Sequence, residues 1–414
     1  MHLPLRPSVA VLVACLAGLT AAAPLAQAPA PRATRAEIRA LWVARTSLTS
    51  PRAVEEMVSS ARAAGFNTLL VQVRGRGDAY FADGMEPRAA TLASQPESFD
   101  PLARTLALAR PLGLHVHAWV NVNLVSSAAD LPSSREHVVY RHPEWLMVPR
   151  EIARDMSLLN PKSLLYLDKL ARWARSQPGE IEGLYLSPIP AGAADRTVQV
   201  IADLVTRYPV DGLHLDYVRY PSGAFDYSRE ALEAFRDSLL EGLDARERQR
   251  RGQAIGADIV RWAERHPAEW EAFRRARLTA LVSRIRESLA RRRPGALLSA
   301  AVYPDAARAA SERLQDWSGW IDRRLLDVVC PMAYATDADA FTEQLTAAKR
   351  AARDLPVWAG IGAYRLSTEQ TIENIRIARR LGASGVVLFS YDSLVASPKG
   401  PGYLSQVSRA VFGG

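Results

Sequence analysis

The chain has 414 residues, 48% of them hydrophobic and 23% charged, which excludes a disordered or low-complexity protein and leaves length for one large domain or two. Its net charge of +8 comes mostly from arginine, yet no base-stacking or groove-reading motif accompanies it, so nucleic acid is excluded as a partner. Of the two cysteines, Cys15 lies in an apolar leader and Cys330 in the run Leu325–Pro331, so the mature chain holds no internal disulfide and Cys330 reads as a buried filler.

Residues 1–28 read as a secretory signal peptide. Arg6 precedes the apolar stretch Ser8–Ala23, and the small-x-small triplet Ala26-Gln27-Ala28 supplies a cleavage site. Leu12-Val13-Ala14-Cys15 also fits a lipobox, which would leave Cys15 lipidated and the protein attached to a membrane. Either route predicts an exported protein of the periplasm or cell envelope. A Pro/Ala/Arg linker covers residues 29–36.

From residue 37 strand-like and helix-like runs alternate. Ile38–Ala44 predicts a strand, then a helix near Pro51–Ala64 with Gly65 at its end. Asn67–Val73 is a second strand, Leu102–Leu112 a second helix, and Leu114–Val120 a third strand. A long irregular section follows, then a helix near Thr197–Tyr208 and a strand at Leu213–Tyr217. Two arginine-rich helices occupy about 229–292 as an insertion, their charges reading as solvated faces rather than as a surface for anionic polymers or membranes. Strands at Leu297–Val302, Leu326–Cys330, Pro356–Ile361 and Gly385–Ser390 complete eight, with helices near 340–353 and 367–380. Near-continuous Val/Leu/Ile runs suit strands buried on both faces, so the pattern predicts an α/β fold, a closed (β/α)8 barrel with long loops after strands three and four, spanning 37–414. An open doubly wound sheet is the alternative. No G-x-G-x-x-G follows a strand, and no cofactor is implied.

The most informative stretch is Asp211-Gly-Leu-His-Leu-Asp-Tyr-Val-Arg-Tyr-Pro221. Side chains alternate along a strand, so Gly212, His214 and Asp216 share one face and Leu213, Leu215 and Tyr217 the other. In a barrel, polar residues just past each strand converge on one mouth. They are Arg45 and Thr46; Gln72, Arg74, Arg76 and Asp78; His115, His117, Trp119, Asn121 and Asn123; His214 and Asp216; Tyr303 and Asp305; Tyr334 and Asp337; Tyr364 and Arg365; Ser390, Tyr391 and Asp392. Carboxylates, amides, guanidinium groups and aromatic rings suit a sugar polymer. Glycoside cleavage needs two carboxyl groups, so Asp216 is the first catalytic candidate, with Asp78, Asp305 and Asp392 as possible partners. Arg74, His117, Trp119, Asn121, His214, Tyr334, Tyr391 and Asp392 are the candidate substrate-binding residues. Two other readings stand beside this one: a non-catalytic glycan-binding barrel, and a metal-dependent amidase or deacetylase built on His115-Val-His117, His214, Asp216 and Asp392. The preferred reading needs no metal.

Across residues 37–392 the chain resembles the glycosyl hydrolase-like family 10 proteins of bacteria. The motifs are Glu37–Ala44, Val71-Gln-Val-Arg-Gly-Arg-Gly-Asp-Ala-Tyr80, Leu114–Asn121, His142-Pro-Glu-Trp145, Val210–Pro221 and Gly385–Tyr391. The resemblance implies a TIM barrel, export, and glycan hydrolysis with bacterial peptidoglycan as the substrate. It places Arg74, Asp78, His117, Asn121, Asp211 and Asp216 on recurring polar positions. Many relatives carry a second Asp directly after the one matched by Asp216, where this chain has Tyr217. The ends of strands five (Val302-Tyr-Pro-Asp305) and six (Pro331-Met-Ala-Tyr334) also depart from the commoner forms.

Overall fold

Eight short apolar runs form parallel strands that close on themselves. They are β1 (Ile38–Val43), β2 (Thr68–Arg74), β3 (His115–Asn121), β4 (Gly212–Asp216), β5 (Leu297–Val302), β6 (Val328–Ala333), β7 (Trp358–Ile361) and β8 (Gly385–Leu388). Each pairs with its sequence neighbours and β8 returns to β1, giving a (β/α)8 TIM barrel. The computed structural model describes residue 1 and residues 36–396, 399–400 and 402–413. The expected signal peptide, Cys15 and nearly all of the linker lie outside the described residues.

Alternation along the strands divides the apolar side chains between two cores. Trp42, Leu70, Trp119, Cys330, Trp358 and Val387 point inward and fill the lumen. Leu41, Val43, Leu69, Val71, Leu213 and Leu215 point outward into the layer beneath the helices. The helices start where their sequences specify: Ser50 caps Pro51–Ala63 and Asp100 caps Pro101–Ala109, each by accepting the N–H of a residue in the first turn, with proline at the first helical position.

Two differences from expectation bear on the site. The section after β3 is not wholly irregular. Leu124–Ser127 and Gly183–Tyr185 form an antiparallel ribbon, and Leu146 bridges to Leu186 beside it. The segment around 229–292 holds four helices rather than two: Arg229–Leu240, Ala245–Ile255, Val260–Arg265 and Pro267–Arg292. Their apolar faces join the section after β3 in a third core that includes Val148, Tyr166, Tyr227, Phe235, Trp262 and Trp270. Asp226 ties the two long loops together. Its fully buried carboxylate accepts the N–H groups of Val148 at 2.9 Å and Ser228 at 2.8 Å. Arg246, Arg248, Arg250 and Arg251 are exposed, whereas Arg274 is buried and donates to the carbonyl of Gly223 at 2.8 Å.

The β3–β4 register sets His117 beside Gly212, Trp119 beside His214, and Asn121 beside Asp216. A Cβ on Gly212 would fall 2.3 Å from Nδ1 of His117, inside the ring's own volume. Gly212→Ala is therefore expected to cost about 2 kcal/mol or more through overpacking in the lumen, read as a lower midpoint in chemical denaturation. An unchanged midpoint would show that the lumen can yield at this level.

Candidate active site

At the carboxyl end of β2 the chain reads Arg74-Gly75-Arg76-Gly77-Asp78. Gly75 lies beneath Arg45: a Cβ there would meet Arg45 Cδ at 2.7 Å and Nη1 at 2.8 Å. Gly77 has a φ of 69° and faces the His137 ring, a position only glycine fills without strain. Asp78 Oδ1 accepts the Arg76 backbone N–H at 2.9 Å and closes the turn. Arg45, Arg76 and Asp78, all partly exposed, are thereby held on one side of the mouth.

Arg74 and Asn121 lie deeper and hold this frame. Arg74 makes a buried two-pronged ion pair with Glu86, both contacts at 2.6 Å, and also donates to the carbonyls of Asn121 and Val122. Asn121 accepts from Trp119 Nε1 at 3.0 Å and from Gln72 Nε2 at 3.3 Å, and donates to Gly75 O at 2.8 Å.

Asp216 ends β4 with 7% of its surface exposed. Its Oδ1 accepts both the Tyr217 N–H at 2.6 Å and Arg219 Nη1 at 3.0 Å, while Oδ2 receives no donor from the described residues. Tyr217 leaves the strand at once in the left-handed region, φ 49°, an uncommon conformation for a bulky residue. The strand accordingly ends at Asp216, and Tyr217 does not continue the outward face. The Arg219 guanidinium lies 4.1 Å from the Tyr217 ring centroid and 5.5 Å from that of Tyr303. Burial opposes the charge on Arg219, but Asp216 and the surrounding tyrosines outweigh it and raise its pKa. Burial pushes the Tyr217 hydroxyl up to about 12, and burial together with Asp216 pushes Tyr334 well above its ordinary value. These tyrosines stay neutral and able to donate.

Tyr334 meets Tyr364 edge-on at 6.2 Å and Trp42 at 6.3 Å, and Phe389 lies 5.7 Å from it, so the floor of the mouth is aromatic. Below it, His214 accepts from Trp42 Nε1 at 2.9 Å through Nε2 and pairs through Nδ1 with Ser299 Oγ at 2.9 Å. Indole N–H can only donate, so Nε2 carries no proton and Nδ1 does. Burial pushes His214 down to about 3; burial, with His214 nearby, does the same to His117. His117 packs against Trp358 at 5.4 Å, and its Nδ1 is buried without a partner.

The other candidates are not brought to this cluster. Asp305 is exposed and caps the helix Ala306–Glu312 by accepting from Ala307 and Arg308. Asp392 is consumed by the turn after β1, accepting from Ala44 N and Thr46 Oγ at 2.7 Å each and from Ser47 Oγ. Tyr391 packs in the layer outside the barrel with its hydroxyl toward Ser60, and Asp337 caps Ala338–Ala352. His115 stands at the opposite end of β3, exposed and 3.7 Å from Asp211. His115 and His117 therefore do not form a ligand pair with Asp216, and among the described residues no three His, Cys, Asp or Glu side chains are placed to hold a metal.

Sequence reasoning missed Tyr185 and Glu182. The ribbon carries them to the rim, where the Tyr185 hydroxyl donates to the Glu182 carboxylate and the ring lies 6.3 Å from Tyr217. Only a strand pattern too short to read, Gly183–Tyr185, marked their position.

This architecture is shared with solved glycoside hydrolases. The chain is similar to the PgaB (BpsB) glycoside hydrolase domain from Bordetella bronchiseptica, 16% identical, covering 90% of this chain and 99% of that one at a TM-score of 0.61. It is also similar to α-L-fucosidase isoenzyme 2 from Paenibacillus thiaminolyticus, 15% identical, covering 91% of this chain and 49% of that one at a TM-score of 0.58. Over residues 37–364 the sequence matches the family described as Glycosyl hydrolase-like 10, and the chain belongs to that family. In sequence it is 23% identical over 202 residues to the glycosyl hydrolase YngK of Bacillus subtilis (strain 168), a match spanning 45% of this chain and 34% of that protein.

Two outcomes separate frame from chemistry. Both lumen histidines are neutral in the folded state down to about pH 3, whereas unfolded histidine takes up its proton near pH 6.5. Their contribution to stability is complete above about pH 6.5 and is lost as pH falls from there toward about 3. His117→Leu should flatten the decline in Tm between pH 7 and 4, each histidine contributing up to about 1.4 kcal/mol per pH unit. An identical slope in the variant would assign the acid sensitivity elsewhere. Asp392→Ala should cost about 1–2 kcal/mol by removing the acceptor of the partly buried Ala44 N–H and Ser47 hydroxyl, with activity tracking the folded fraction.

Proposed function

We propose that the protein is an exported glycoside hydrolase that cleaves glycosidic bonds in a bacterial envelope polysaccharide, the glycan strands of peptidoglycan, by carboxylate catalysis. The observation that carries this reading is the asymmetry at Asp216. Oδ1 is fixed by a backbone N–H and a guanidinium, and Oδ2 is left to meet a substrate above an aromatic floor. A carboxylate ion-paired in this way suits the role of base or nucleophile, which leaves proton donation to a second carboxyl group. Asp78 and Glu182 are the two at the rim that fit that role. Asp305 and Asp392 do not, because Asp305 is committed to a helix cap and Asp392 to the turn after β1. The aromatic rings of Tyr217, Tyr303, Tyr334 and Tyr364 suit the apolar faces of pyranose rings.

Export rests on the leader at 1–28, and residence in the periplasm or envelope follows from it. Family membership and similarity to glycoside hydrolases support the reaction class. Peptidoglycan is the polymer an exported bacterial protein of this kind meets first.

Purified protein incubated with peptidoglycan glycan strands should release new reducing ends. Asp216→Asn should lower that rate at least about a hundredfold while leaving the Tm within a few degrees. Absence of cleavage by the wild type, or full activity in Asp216→Asn, would sink the assignment. Retained binding to sacculi with no product in either protein would favour the glycan-binding alternative.

A further inference from the structure

Arg365 lies over the Tyr364 ring at 5.1 Å, and four further arginines stand at or just below the mouth, where they are not equivalent. Arg74 is paired with Glu86 and Arg219 with Asp216. Arg45 and Arg76 pair with no carboxylate among the described residues. Arg45 bonds Gln72, through its backbone N–H at 3.4 Å and Nη1 at 3.2 Å to the same Oε1, and also meets the Tyr80 hydroxyl, while Arg76 Nη1 reaches only the carbonyl of Gly75 at 3.2 Å. The Nε of Arg76 is buried without any partner. Burial and the neighbouring Arg45 both disfavour the charge on Arg76, while Tyr217, Tyr185 and Asp78 offset this only in part. Two like charges held side by side and partly desolvated are destabilising by themselves. Gly75 and Gly77 nevertheless fix them in place.

We infer that Arg45 and Arg76 form a subsite for the carboxylate of an acidic sugar, next to the reacting bond. The inference rests on the glycan reading above and narrows its substrate to polymers carrying a carboxylate. Charge and planarity favour a carboxylate over a phosphate monoester. Two guanidiniums and the nearby Asp78 leave one net positive charge, which a single carboxylate matches, whereas a phosphate monoester carries about −1.5 to −2 at neutral pH and overshoots. The incoming oxygens would take up guanidinium N–H donors of Arg45 and Arg76 that have no carboxylate partner, and planar guanidinium groups suit a planar oxyanion.

Calorimetric titration of the full chain, wild type and Asp216→Asn, tests this with three probes. They are an alternating N-acetylglucosamine–N-acetylmuramic acid tetrasaccharide, the same compound with its carboxyl groups reduced to alcohols, and a sugar-phosphate analogue of equal length. The acid form should bind at least about tenfold tighter than the alcohol form, and the preference should shrink at high salt. Arg76→Gln and Arg45→Gln should each bring the ratio toward one, and Arg76→Lys should keep part of it; their thermal unfolding, compared with wild type, reports folding. Equal binding of acid and alcohol forms overturns the subsite and leaves the glycan reading standing. A preference that survives both glutamine variants overturns the assignment to these arginines, and tighter binding of the phosphate overturns the carboxylate. Failure of the wild type to bind any of the three removes the glycan reading and the subsite together.

Discussion

The hydrogen-bonded bar Trp42–His214–Ser299 spans the barrel interior and joins β1, β4 and β5. It works only with a neutral imidazole. Protonation would turn Nε2 from acceptor to donor against an indole N–H that can only donate. A fully buried polar group must be satisfied to be tolerated, and here all three members satisfy one another. Asp216 lies two residues further along the same strand on the same face, so the bar sets the position of the carboxylate above it.

The mouth divides its polar residues between framing and contact. Arg74, Glu86, Asn121 and Gln72 spend their hydrogen bonds on one another, on Trp119 and Arg45, and on loop carbonyls. Arg45, Arg76, Asp78, Glu182 and Oδ2 of Asp216 retain capacity. The residues that the motifs single out thus include both kinds, and position in a motif does not separate them. What separates them is whether the donors and acceptors are already taken.

The barrel was legible because its evidence is repetitive: eight apolar runs, each bounded by turn chemistry, at spacings that leave room for helices. The inward face of β4 was legible for the same reason, since alternation alone puts Gly212, His214 and Asp216 together. The candidates placed away from the Asp216 cluster are those whose local signal carries two meanings. An Asp three or four residues past a strand is also a preferred helix cap, and Asp305 and Asp337 are caps. Asp392 serves a turn on the neighbouring strand, a contact across 346 residues that no local pattern encodes. Tyr391 has the parity of an inward residue, but the strand has already ended at Leu388 and the chain has begun a helical turn. The ribbon that brings Glu182 and Tyr185 to the rim uses strands of four and three residues, below the length at which periodicity can be read.

Trp42, Trp119 and Trp358 plug the lumen beneath the aromatic floor. The barrel is therefore a cup and not a tube. On the proposed reading, a polymer substrate would lie across the rim rather than thread through the barrel, and both cut ends would depart on the side from which the chain arrived. Release of each new end would then depend on the rim loops, the ribbon and the turn bearing Arg76, and not on any passage through the core.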